Sequence, residues 1–455
     1  MRHIAQHIKS TGLACGALAI TAGAVLGQNA VRAALPDTAP CPESIATIAT
    51  CYTARHETGA YLFAAMPKNW NGNLVVFAHG GPSRTPPTET SLQRNPSVIG
   101  SAVAVKRGFA WIASSYRREG FGVRMAVEDS DDVRKFFIAR IATPERTILY
   151  GVSYGGAVGA KLVETYAKMD GSTNFDGALL ISGVVAGIAA DWAQNVHQRV
   201  VYQHYCNNLP RPDEPQYPLW SGLPADSRIT KEDIEARVDA CTGVAQAPGA
   251  RSELQKQNLA NIVNVLLIPE SQLPVSITES AFDVRDLVQR TAGGRNPFSN
   301  VGVRYTGSTD DATLNRDVAR FAADPAAAGA VRADGDPTGV LPVPVVTIHG
   351  IGDPDVVVEE ESAYRDAVRA AGSGDRLVQA FIDAHVHVGL SEPELTAARD
   401  ALMRWIETGA KPTPQSIAAA CEELRANLNG PCRYLPEFTP KPLNTRHYPR
   451  ETAVR

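Results

Sequence analysis

The chain has 455 residues, and at roughly 100 to 200 residues per domain it holds several domains or one large domain with insertions. Hydrophobic residues make up 44 % and charged residues 20 %, the balance of a chain that buries a sizeable core and not of a disordered one. A formal charge of −4 excludes a clustered positive excess as the dominant feature, so nucleic acid is not an expected partner.

Arg2, His3, His7 and Lys9 precede an apolar, small-residue run from Thr11 to Gly27. Val31 and Ala33 then stand at the −3 and −1 positions of a leader-peptidase site, which completes the three-part pattern of a secretory signal. The run is about 17 residues long and rich in glycine, short for a membrane span. Residues 1–33 are therefore expected to be a signal peptide. The mature protein is expected to be secreted or periplasmic, with no stable membrane span.

Cys15 falls inside the leader, leaving Cys41, Cys51, Cys206, Cys241, Cys421 and Cys432. An even number in an exported chain suggests disulfides. Proximity favours Cys41–Cys51, Cys206–Cys241 and Cys421–Cys432, and no CxxC or CxC spacing offers a zinc or redox site.

Strand and helix signals then alternate. Apolar runs at Leu74–Ala78, Phe109–Ala113, Thr147–Tyr150 and Gly177–Ile181 read as strands, with helices expected over Val127–Ile141 and Gly155–Met169. Strands without internal alternation, separated by helices, mean a parallel sheet covered on both faces. From Val185 to Leu341 no such strand occurs. Pro-rich turns fill Leu209 to Pro224, and helices are expected near Lys231–Cys241 and Ala319–Ala323. The strand rhythm resumes at Val343–Ile348 and Leu377–Ile382, a helix follows over Pro393–Glu407, and the Pro-punctuated tail reads as a surface arm. The expected divisions are 34–185 and 341–410 for one α/β core, 186–340 for a mainly helical cap inserted into it, and 411–455 for the arm.

Gly151-Val152-Ser153-Tyr154-Gly155 is a G-x-S-x-G element between a short apolar strand and a helix. The turn strains Ser153, so its neighbours two residues away must lack clashing side chains, and the helix N-terminus points its N–H groups at the serine. A nucleophilic serine needs a base, and the base an orienting acid. Asp353, in His349-Gly350-Ile351-Gly352-Asp353, follows a strand directly and is the expected acid, with Asp355 the neighbour that could substitute. His385-Val386-His387 offers two bases, which strand alternation would place on the same face. Their spacing is also similar to the metal-binding strand of amidohydrolases, but too little chain follows to supply the further ligands. No metal or cofactor is expected.

An oxyanion hole needs two aimed N–H donors. These are expected from Tyr154, next to the serine, and from Gly81 in His79-Gly80-Gly81-Pro82, with Gly80 the alternative and His79 a structural residue. Weaker candidates are Arg117, Arg118 and Arg124 for an anionic substrate, Glu359 to Glu361 as helix-dipole partners, and Asp310-Asp311 as a helix cap or calcium pair. Trp192, Tyr202, Tyr205, Tyr217 and Trp220 either pack the insertion or wall an apolar pocket.

Together these motifs resemble the α/β-hydrolase superfamily from about Tyr61 to Gly409, and most of all its secreted, capped serine esterases. In those enzymes the base is followed by a helix ending in W-x-x-x-G, here Trp405 to Gly409; counting back through Leu390-Ser391-Glu392-Pro393-Glu394 places the base at His387. The resemblance implies an α/β-hydrolase fold, a mostly parallel sheet with helices on both faces and a large helical cap. It further implies hydrolysis of small or polymeric carboxylic esters through Ser153, His387 and Asp353. Feruloyl esterases and tannases share the layout but usually join a cysteine beside the serine to one beside the histidine. Val152 and Val388 stand there, so that substrate class is not implied. HGGP with G-x-S-Y-G-G is also similar to prolyl-oligopeptidase-type peptidases, whose N-terminal propeller has no room here. A catalytically silent binding protein is the remaining alternative.

Overall fold

The computed structural model describes residues 35–94, 102–166 and 173–450, and the expected signal peptide lies outside them. Nine strands form one sheet: β1 (Asp37–Ala39), β2 (Ala49–Arg55), β3 (Tyr61–Pro67), β4 (Asn73–Ala78), β5 (Ala110–Ser114), β6 (Arg146–Val152), β7 (Gly177–Ile181), β8 (Val345–Gly350) and β9 (Leu377–Ile382). Their spatial order is β1-β2-β3-β5-β4-β6-β7-β8-β9. Pairings from β1 through β3 to β5 are antiparallel, and every later one is parallel. This is an α/β-hydrolase fold. The parallel strands are the ones anticipated from uninterrupted apolar runs, since a strand covered on both faces has no solvent side to mark by alternation.

β1, β2 and β3 were not expected. β2 is half exposed and carries Thr50, Tyr52, Thr53 and Arg55, too mixed a pattern to stand out from a loop. Cys41–Cys51 staples the start of this antiparallel edge, and Cys206–Cys241 and Cys421–Cys432 are also bonded, matching the pairing expected from proximity.

The helices that matter here are α1 (Val123–Arg140), α2 (Tyr154–Thr165), α3 (Ile188–Cys206), α4 (Lys231–Thr242), α5 (Glu253–Leu266), α6 (Leu273–Arg290), α7 (Asp311–Asp317), α8 (Pro325–Gly335), α9 (Glu360–Ala370), α10 (Glu392–Thr408) and α11 (Pro414–Leu424). Leu74 and Val76 of β4 belong to the buried cluster that includes residues of α1, α2 and α9, while Val75 and Phe77 belong to the one on the other face that includes residues of α10 and α11. α10 starts where Ser391 and Glu394 form a capping box and stops at Gly409, whose φ of 72° suits glycine.

Helices α3 to α8 fill the chain between β7 and β8, with no strand there among the described residues. They enclose an apolar core of their own, including Val200, Ile234, Ile262 and Ile277. The helix expected at Ala319–Ala323 does not form. Asn300 instead binds that stretch as extended chain, donating to the Ala319 carbonyl and accepting from the Phe321 N–H. The helix begins only at Pro325, where Asp324 caps it and proline fits the first turn.

The tail beyond Gly409 is more than a surface arm. Ile417 and Cys421 of α11 are fully buried, and Leu435 donates to the Phe381 carbonyl at the end of the sheet. Further on, Tyr448 is buried beside His197 and Tyr305, and its hydroxyl donates to the Val265 carbonyl at 2.8 Å. The tail thus straps the sheet to the helical layer, a role that its polar, Pro-rich sequence conceals. No described helix is long and apolar enough to cross a membrane.

Candidate active site

Ser153 sits between β6 and α2 with φ 56° and ψ −125°, a conformation that costs a non-glycine residue strain. The surroundings hold it there. Its N–H donates to the Ile181 carbonyl at 3.0 Å, and its own carbonyl accepts from Gly156 at 2.7 Å and Val184 at 3.1 Å. The flanking glycines are required sterically: a Cβ at Gly151 would overlap the Gly155 carbonyl, and one at Gly155 the Ala78 carbonyl.

His387, in the loop after β9, brings Nε2 to 2.8 Å from Ser153 Oγ. Its Nδ1 lies 2.8 Å from Asp353 Oδ2 and 3.0 Å from Oδ1. Asp353, in the loop after β8, also accepts the N–H groups of Asp355 at 3.0 Å and Val356 at 3.1 Å. Burial would push the Asp353 carboxyl up. The hydrogen bond and charge of His387, then the charge of His349 and the Val356 N–H, outweigh it and hold the carboxyl below the ordinary aspartate value. Asp355 contributes its backbone to this arrangement and lines the cavity beside it.

His385 and His387 do not share a face. Regular strand structure ends at Ile382, so alternation no longer applies, and His385 swings outward to Asp383 Oδ1 at 3.0 Å with its side chain 71 % exposed. Only His387 of the pair reaches Ser153.

Tyr154 opens α2, so its N–H has no intrahelical acceptor. Gly81 has φ 142°, a region open to glycine, and lines the same cavity as Tyr154, Ser153 and His387. Gly80 instead packs under the serine, where a Cβ would come within 3.2 Å of Ser153 Cβ. His79 is buried, its Nδ1 lies 2.6 Å from the Gly80 carbonyl, and its ring stacks on Tyr116.

The cavity above Ser153 has a volume of about 270 Å³. Its roof comes from α3 and α6, including Trp192, Gln194 and Glu279, and the tail adds Arg446 and His447. Arg84, just past the HGGP loop, clamps the roof through a two-point ion pair with Asp283 of α6, at 3.1 and 2.6 Å. Trp192 was among the aromatics expected either to pack or to wall a pocket; the other roof groups were missed because nothing in a helix or a tail marks which of its polar residues meets a distant strand end.

The weaker candidates separate cleanly. Arg117 pairs with Asp129 and Glu128, Arg118 approaches Asp286, and Arg124 is exposed. Asp310 caps α7. Glu360 and Glu361 begin α9 but are fully buried, so they do more than complement its dipole. Glu361 accepts from Thr347 and Gln379 and faces His349, and its hydrogen bond and charge hold the His349 imidazole above its ordinary value although burial pulls it down. Of the five aromatics, only Trp192 lines the cavity; Tyr202, Tyr205 and Tyr217 pack within the helical layer and Trp220 against the sheet-side core.

No protein-family model and no curated protein matches the sequence. In structure the chain is similar to an esterase from Aspergillus oryzae, with 14 % identity, a TM-score of 0.42 and 80 % of each chain covered. It is similar to feruloyl esterase B from Aspergillus oryzae, with 13 % identity, a TM-score of 0.44, and 83 % of this chain and 86 % of that one covered. It is also similar to tannin acyl hydrolase from Aspergillus niger, with 12 % identity, a TM-score of 0.39, and 83 % and 82 % covered. At such identities and TM-scores these similarities carry no argument about chemistry.

Proposed function

We propose that this chain is an exported serine hydrolase that cleaves carboxylic esters. The observation that carries the reading is the unbroken hydrogen-bonded run from Asp353 through His387 to Ser153, on a strained turn that opens into a cavity. Ser153 Oγ attacks the ester carbonyl while His387 Nε2 takes its proton. Asp353 holds the imidazole through Nδ1–H and stabilises its cationic form. The N–H groups of Tyr154 and Gly81 receive the charge that develops on the carbonyl oxygen. His387 then returns the proton to the leaving alcohol, water attacks the acyl-serine with His387 again as base, and the acid product departs.

Export rests on the leader pattern of residues 1–33 and agrees with three disulfides, which persist in oxidising compartments. The substrate is expected to be a small molecule or a chain end that fits under the roof. Purified protein assayed on p-nitrophenyl butyrate beside matched p-nitroanilides, a prolyl anilide among them, tests the reaction class. Rapid ester turnover with inert anilides is the expected result. Efficient anilide cleavage would make it a peptidase, and silence on both, with no covalent labelling of Ser153 by a fluorophosphonate, would leave a binding protein.

A further inference from the structure

Three ionisable side chains that the proposed hydrolysis does not use converge at the cavity. Asp191 lies in the first turn of α3, Glu360 is the first residue of α9, and His447 belongs to the tail. One ligand atom from each lies within 4.8 Å of the others. Asp191 and His447 line the cavity that contains Ser153. Glu360 is fully buried and His447 is only 8 % exposed.

Their hydrogen bonding is incomplete. Glu360 Oε2 accepts the Ala186 N–H at 3.1 Å, but Oε1 has no partner, and neither has His447 Nδ1. None of the three belongs to an ion pair among the described residues. Of the nearby guanidiniums, Arg446 donates to the Leu267 carbonyl, and Arg450 lies over the Tyr448 ring and donates to the Arg446 carbonyl, with its buried Nη2 left without a partner. Glu279, Asp283 and Asp355 add further acids to the walls of the same cavity. Buried carboxylates that face each other without a cation are costly, as is a buried ring nitrogen with nothing to bond.

We propose that Asp191, Glu360 and His447 form a binding site for a divalent metal ion of the Zn²⁺ class. Two carboxylates and one imidazole suit a first-row transition metal better than Ca²⁺ or Mg²⁺, which prefer oxygen ligands throughout. The ion would satisfy the open Glu360 oxygen and offset both carboxylate charges. Because the three ligands come from the roof, the core and the tail, the ion would stitch these parts together around the cavity, leaving a coordination position for water or substrate.

The test is calorimetric titration of the chelator-treated full protein with zinc chloride. One Zn²⁺ per chain is expected, with a rise in melting temperature. Asp191→Asn, Glu360→Gln and His447→Gln should each weaken binding by about 100-fold or more, whereas His385→Ala at the exposed His385–Asp383 pair should leave it unchanged. Titrating Ser153→Ala should match the wild type, so loss of the hydrolase reading would leave this one standing. Absence of stoichiometric binding to the wild type would overturn the proposal, as would full affinity in the three ligand variants, and the wild-type arm decides even if a variant misfolds.

Discussion

Ser153, Asp353 and His387 leave the sheet at the ends of β6, β8 and β9, each within a few residues of a buried strand, whereas Trp192, Gln194 and Glu279 reach the same cavity from the sides of α3 and α6. The first group is set by backbone. A strained turn, two glycines that no other residue can replace and a row of N–H donors position atoms to within hydrogen-bonding distance. The second group is set by side-chain packing and by charges such as Arg84–Asp283 that cross from loop to roof. Placement by backbone is local and rigid. Placement by packing depends on residues far away in the chain and is the softer and more adjustable of the two.

That contrast predicts a hierarchy of effects. Ser153→Ala should lower ester turnover by about five to six orders of magnitude, as removal of a nucleophile collapses the whole unit; residual turnover above about one per cent would show that the elbow is not the reacting group. Asp353→Asn should cost about 10⁴-fold by favouring the wrong histidine tautomer. In parallel assays, His387→Ala should lose several thousand-fold or more while His385→Ala stays within about twofold. Comparable losses in both histidine variants would sink the assignment of the base.

On the roof the effects should be milder and appear in stability. Arg84→Ala leaves the Asp283 carboxylate buried without its partner. Because Arg84 itself is partly exposed, the expected cost is about 1–3 kcal/mol, less than for a wholly buried pair, and is read as a lowered melting temperature. An unchanged melting point would mean that the clamp contributes nothing to the roof.

A further effect, spread over several pH units, is a response to acid. Burial, then the charges of His447, Arg450 and Arg320, pushes the His197 imidazole down to about 3. An unfolded histidine takes up its proton near pH 6.5, so below that value the unfolded chain binds more protons than the folded one. Stability should therefore fall as the pH drops from about 6.5 toward 3. His197→Gln should make the plot of melting temperature against pH shallower over that window. An identical slope would place the acid sensitivity elsewhere.

How far the molecule could be read in advance follows the same division. The parallel strands were legible because burial on both faces leaves an uninterrupted apolar run, and the elbow because its glycines answer a steric demand contained within five residues. Asp353 was legible from its place after a strand, and His387 over His385 only through the helix and W-x-x-x-G segment that follow it. β1 and β2 were hidden by their exposed positions, β3 is buried and was missed although its run is apolar, and the start of α8 was hidden by the binding of residues 319–321 to Asn300. The tail was misjudged because Tyr448 and His447 are single residues in a polar stretch, with no period to mark them.

The sequence by itself determined the parallel strands, the strained serine turn and the placing of Ser153, Asp353 and a histidine after successive strands, and it favoured the three disulfide loops, since each of these is a constraint between residues near in the chain or tied to one strand end. Only the tertiary structure decided which acids and which tail histidine meet above the serine. Asp191, Glu360 and His447 are neighbours because helix packing and a strap across the sheet bring them together, and no local pattern of residue types carries that information.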